Sequence, residues 1–191
     1  MLDFPNSAPD IKKLAEKLVR HLHGKLENTH DRMGWSGRNF KVLTEFFRPH
    51  GIACFPGEDG PQFLWDFVGY VNGRGILIAA ESEWSREQGE VEYDFEKLLY
   101  VRSPIKLVLC RLRATSGAEA EEEAKSICSS LRNFMNSTCK NYSPGEVFIL
   151  YCVWWAIDGG PNRDIAYTLQ VHGDPICQPL DDDEQFQLVS R

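Results

Sequence analysis

Apolar residues recur every three or four positions through residues 9 to 28, at Ile11, Leu14, Leu18, Leu22 and Leu26. That spacing predicts an amphipathic helix with a Lys/Arg-rich opposite face. The stretch DRMGWSG interrupts it. A second helix is expected with Ser36 as N-cap, running through Phe47 and stopping near Pro49 and Gly51. The period then shortens to two. IACF reads as a strand, PGEDGP as a loop, and QFLWDFVGYV as an alternating strand that reaches NGRG, a hairpin signal. The return strand is GILIAAESEW. After the loop SREQGEV, EYDFEKLLYVRS reads as a helix closed by Pro104, and IKLVLCRL as a strand buried on both faces. GAEAEEEAKSICSSLRNFMNST predicts a helix with Ala118, Ala124, Ile127, Leu131 and Phe134 inward. GEVFILYCVWWAI and IAYTLQVHG read as two strands of a hairpin, and the acidic tail from about residue 180 to 191 as poorly ordered.

The resulting order, α-α-β-β-β-α-β-α-β-β, predicts an α/β architecture. A mixed β-sheet of about five or six strands would be flanked by helices. With no internal repeat or low-complexity linker, residues 1–191 read as a single domain. Its core spans about 36–155, with a helix over 9–28 before it and the acidic tail over 180–191 after it.

GILIAAESEW poses a physical problem, because an apolar run of strand character ends in two acids. A buried carboxylate without compensation costs several kcal/mol or takes up a proton. Glu81 and Glu83, two apart on a strand, point to one face. The hairpin brings the strand carrying Asp66 alongside, so three carboxylates could converge at one end of the sheet. A hard divalent cation such as Mg2+, or Mn2+, would offset their repulsion.

Composition narrows the possibilities without choosing among them. The chain has 191 residues, 42% hydrophobic and 26% charged, with a net charge of −7. That balance argues against a protein that coats nucleic acid non-specifically, yet leaves room for a local basic strip touching phosphates. No apolar run has the roughly 20 residues of a bilayer span, and no signal-peptide pattern opens the chain. Six scattered cysteines without a CxxC pair read as buried free thiols of a cytoplasmic protein.

An acid on one strand, then an acid two residues before a third polar position on the next strand, then a helix, resembles the PD-(D/E)xK nuclease superfamily. This is the restriction-endonuclease-like fold, and the resemblance covers roughly residues 36 to 110. It implies divalent-metal-dependent phosphodiester hydrolysis of DNA or RNA, with Mg2+ or Mn2+ as cofactor. On it Asp66 and Glu81 match the metal-binding acids and the third position, usually Lys, is Glu83. Trp65 stands where the family name puts proline. Some members supply the lysine from the following helix, where Lys97 is the candidate. Catalytic roles therefore fall to Asp66, Glu81, Glu83 and Lys97, with Glu83 or Lys97 orienting or deprotonating the attacking water. Glu45 would match an extra acid that some members carry. Arg74, Arg86, Arg102 and Lys106 are candidate phosphate contacts, and a homodimer would suit a double-strand cutter.

Other readings stand beside this one. On the residues alone, Lys97 is a surface lysine and Glu45 a solvated helix residue. Without a lysine after Glu81, the chain could be a catalytically inactive binding module of the same fold. It could also be an unrelated α/β protein whose acidic surface meets a basic partner. His21 and His23, at i and i+2, cannot form a helical metal pair, and Ser126, Ser129 and Ser130 read as helix surface.

Overall fold

The computed structural model describes residues 8–26, 35–55, 64–84, 88–138, 146–154 and 163–170. Helix α1 spans Ala8–Leu26 and α2 Trp35–Phe47, followed by a 3-10 turn over Arg48–His50. The strands are β1 (Ala53–Phe55), β2 (Phe67–Val71), β3 (Gly75–Glu83), β4 (Ile105–Arg111), β5 (Val147–Trp154) and β6 (Arg163–Gln170). Helices α3 (Gln88–Leu99) and α4 (Gly117–Thr138) follow β3 and β4 respectively. The six strands form one mixed sheet in sequence order. Pairs β3/β4 and β4/β5 are parallel, linked by α3 and α4, and the other three pairs are antiparallel. The element order and the α/β class are those expected from the sequence. The acidic tail and Cys139 and Cys177 lie outside the described residues.

Alternation along the central strands divides two apolar layers. Ile78, Ala80, Leu107, Ile149 and Tyr151 pack against the apolar stripe of α1 and against α2. Ala79, Val108, Cys110, Leu150 and Cys152 face α3 and α4. All five α1 stripe residues are buried, so this helix belongs to the same core as the sheet. β5 is buried along its whole length, as its unbroken apolar run requires when helices cover both faces.

Several boundaries differ from expectation for local reasons. β2 begins at Phe67, and residues 64–66 form a bend before it, so Asp66 precedes the strand. α3 begins at Gln88, absorbing residues assigned to a loop, and ends at Leu99, well before Pro104. Val91 makes the early start worthwhile, since it is buried against the second core layer. Ser36, expected as a cap, lies within the first turn of α2. In α4 it is Ala120 that is buried and Ala118 that is exposed. Ser116 caps that helix, its Oγ accepting from the Glu119 N–H at 3.3 Å, while the Glu119 carboxylate accepts from the Thr115 N–H at 2.8 Å.

The β2/β3 hairpin carries one irregularity with consequences for the site. Gly73 takes φ 73° in the turn, where the Arg74 N–H reaches the Val71 carbonyl at 2.9 Å. Further along, Gly69 pairs with Ile78 but Tyr70 pairs with Ile76, leaving Leu77 as the extra residue of a β-bulge. Leu77 and Ile78 both enter the α1/α2 layer, while Ile76 packs on the other side. A Cβ on Gly69 would stand 2.7 Å from Ile78 Cγ2 and 3.3 Å from Ile52 Cγ2. Gly69→Ala is therefore expected to cost about 1–3 kcal/mol. Chemical denaturation checks this, and an unchanged midpoint would mean the bulge yields freely.

Candidate functional site

Past the bulge the alternation of β3 is regular, which directs Glu81 and Glu83 toward α3 and Ser82 toward α2. Glu81 is fully buried. β3 is linked through α3 to a parallel neighbour, so the crossover helix must lie across this face of the sheet. It brings Lys97 over Glu81, with Nζ 3.0 Å from Oε2, and the same ammonium lies 2.8 Å from Asp94 Oδ1. Lys97 is thus no simple surface lysine. Two carboxylates from different elements bracket it, and its Nζ stands 5.7 Å from the centre of the Tyr93 ring. The contact to Glu81 is an ion pair without good hydrogen-bond alignment, and neither Glu81 oxygen has an aligned donor.

Burial dominates the electrostatics. It pushes the Glu81 carboxyl up to about 8, with Lys97 opposing and the charges of Asp66 and Asp94 adding to the rise. Asp94 is also raised by burial, against the pull of Lys97. The neighbouring Glu83 carboxylate adds to the rise. Burial pulls the Lys97 ammonium toward neutrality, but the carboxylates of Asp94 and Glu81 beside it outweigh this and its pKa is raised. The cluster is a lysine held by acids that give up their protons reluctantly.

Asp66 lies at the rim. Its side chain is solvent-facing, yet Oδ2 accepts the Ser82 N–H at 2.9 Å, which ties the bend before β2 to the end of β3. Two tryptophans hold this arrangement. The Trp65 indole donates to the Lys97 carbonyl at 3.1 Å, satisfying an acceptor in the last turn of α3. The Trp84 indole donates to Ser82 Oγ at 2.7 Å. From the α2 side, buried Asn39 donates through Nδ2 to the same Oγ at 3.1 Å. Sequence reasoning singled out neither Asn39 nor Ser82. The available signal was a polar residue at a helix position flanked by the buried stripe of α2.

No protein-family model, curated protein or solved structure matches the chain.

Of the four residues predicted to be catalytic, Glu81 and Lys97 meet directly, Asp66 adjoins them through Ser82, and Glu83 joins them through Asp94. Among the described residues, no three His, Cys, Asp or Glu side chains are gathered so as to hold a metal ion by themselves. The charge between Glu81 and Asp94 is balanced by Lys97. The donors nevertheless suit a hard cation in kind. They are carboxylate oxygens, and those of Glu81 are buried without aligned donors.

Other candidates fall away from the site. Glu45 forms a half-exposed pair with Lys25 at 3.6 Å. Lys106 is no phosphate contact. It is buried, 2.7 Å from Glu146 Oε2, with its Nζ 4.7 Å from the centre of the Phe148 ring. Arg74 and Arg102 are exposed, and Arg86 lies outside the described residues. His21 packs on Phe46 with ring centres 5.2 Å apart. Ser130 donates to Glu92 on α3 and so joins the two helices, which its reading as plain surface did not foresee. Four cysteines are buried free thiols. Cys110 and Cys152 are register partners with sulfurs 3.5 Å apart. Burial raises Cys54 to about 11, which suits packing better than nucleophilic chemistry.

Proposed function

We propose that the chain is a divalent-metal-dependent nuclease of the PD-(D/E)xK type, with its lysine carried on α3. The observation that supports this most is the 3.0 Å meeting of Lys97 and Glu81. Glu83 occupies the strand position where the resemblance leads one to expect an amine, and Lys97 supplies that amine from the following helix. The restriction-endonuclease-like reading also agrees with the α2-β1-β2-β3-α3-β4 order and with Asp66 opposite the end of β3.

A Mg2+ or Mn2+ ion held by Asp66 and Glu81 would polarise a scissile phosphate and make a bound water more acidic. The protein's own groups do the rest. Lys97 carries a fixed positive charge beside Glu81, where negative charge would develop on the phosphate oxygens. Glu83, on the strand end beside Asp94, would orient the attacking water, the role that the resemblance leaves to it or to Lys97. The Ser82 N–H holds Asp66, Asn39 fixes the Ser82 hydroxyl, and Trp65 fastens the turn of α3 that carries Lys97.

The test is cleavage of labelled single- and double-stranded DNA and of RNA in Mg2+ or Mn2+. Asp66→Ala, Glu81→Gln and Lys97→Met should each lower the rate by at least ~100-fold, with circular dichroism unchanged. Cleavage persisting in the Asp66→Ala/Glu81→Gln double variant would end this reading. A second reading is an inactive binding module of the same fold. Lys97 already neutralises Glu81 and Asp94, and Glu81 is shut from solvent. Calorimetry with Mn2+ separates the two, because the module need show no binding heat that Asp66→Ala removes.

A further inference from the structure

The two helical layers carry opposite charge. α1 bears Lys12, Lys13, Lys17, Arg20 and Lys25 against Asp10 and Glu16. α2 and the turn after it add Arg38, Lys41 and Arg48 against Glu45. On the other face the balance is reversed. α3 bears Glu90, Glu92, Asp94 and Glu96 against Lys97, and α4 bears four glutamates against Lys125 and Arg132. The net charge of −7 therefore hides a basic side and an acidic side separated by the sheet.

The basic side is ordered. Lys13, Lys17 and Arg20 are exposed at i, i+4 and i+7, one stripe along α1 opposite its buried leucines. Arg38, Lys41 and Arg48 are exposed on α2 and its following turn. Lys13, Lys17, Arg20, Arg38 and Lys41 have no ion pair with any described residue. Beneath this surface, buried Asn39 of α2 donates to Ser82, whose N–H holds Asp66, while Glu81 faces α3 on the other side of the sheet.

We propose that the exposed face of α1 and α2 is a docking surface for the phosphate backbone of a nucleic acid. The assignment rests on the nuclease reading and deepens it by naming where substrate is held. A row of cations without ion-pair partners among the described residues, about 6 Å apart along a helix, suits a polymer of regularly spaced phosphates. A lipid surface fits less well, because an interfacial helix needs apolar residues at its exposed face. The large exposed hydrophobic residues among those described, Leu64, Tyr93 and Tyr100, lie instead on α3, on the turn just after it and on the bend that Trp65 fastens to it.

The experiment is fluorescence anisotropy with labelled oligonucleotides, single- and double-stranded, in EDTA so that no cleavage intervenes. Variants are the triple reversal Lys13→Glu/Lys17→Glu/Arg20→Glu, its Gln counterpart, and Lys125→Glu on the opposite face. The triple reversal should weaken binding at least ~10-fold and reduce the log–log salt slope by about 2 to 3, with the Gln variant intermediate. Lys125→Glu should bind like the wild type. Equal binding by wild type and triple reversal overturns the proposal. So does capture of phosphatidylglycerol vesicles, or self-association in sedimentation, that the reversal abolishes while oligonucleotides fail to bind. Binding intact with no cleavage under any metal condition overturns the nuclease reading alone. Cleavage intact with binding indifferent to the reversal overturns this surface alone.

Discussion

Glu81→Gln is expected to stabilise the metal-free protein at pH 8 by about 4 kcal/mol, with little effect near pH 4.5. The Glu81 carboxyl is raised from 4.5 to about 8 in the folded state. The folded protein therefore holds this proton more tightly than the unfolded chain. Its contribution to stability is fully present below about pH 4.5 and is lost as pH rises toward 8. At about 1.4 kcal/mol per pKa unit, most of that range is spent by pH 8. Gln keeps the shape of the protonated acid and removes the titration. Denaturant unfolding in EDTA at the two pH values checks this. A variant no more stable than wild type at pH 8 would show that Lys97 keeps Glu81 ionised throughout. On the proposed metal reading, cation binding would release this proton near neutral pH, so affinity for Mn2+ should rise with pH up to about 8.

Lys106→Met should be the most damaging change outside the site, costing about 3–5 kcal/mol. Lys106 is buried with its ammonium 2.7 Å from Glu146, and removing it leaves a buried carboxylate alone. Burial already raises the Glu146 carboxyl despite the opposing charge of Lys106. In the variant that rise must grow, so the loss should be smallest at low pH, where Glu146 is protonated, and increase as pH rises. The double variant Lys106→Met/Glu146→Leu should recover most of the stability, since an apolar pair leaves no charge behind. Thermal unfolding should show the single variant lower by roughly 10 °C at neutral pH. A double variant as unstable as the single would mean that the lysine stem and its contact with Phe148 matter more than the charge.

Much of this fold was legible along the chain because its signals are local. The stripe from Ile11 to Leu26, the continuous apolar run of β5 and the NGRG turn each state a period or a breaker within a few residues. GILIAAESEW was legible in the same way. A strand that ends in acids flagged Glu81, and the structure places that residue at the centre of the charge cluster.

What the local pattern could not supply was partnership. Lys97 sits on a charged helix, and nothing within four residues distinguishes it from a solvated lysine. Its pairing with Glu81, 16 positions earlier, follows from the crossover of α3 above β3. Lys106 misled in the opposite sense, since a lysine in a strand of apolar residues reads as a basic contact until Glu146 is seen beneath it. Nothing along the chain marks Asn39, Ser82 or Trp65 as a hydrogen-bonding group of the site. They matter only because α2, β3 and α3 meet at one end of the sheet.

By itself, then, the sequence determined the elements, their order and which strand would end in buried charge, since periodicity and burial are properties of neighbouring residues. Tertiary structure alone decided which charges face one another and which helices share a face. Those distances depend on how layers stack across the sheet, and no spacing along the chain encodes them.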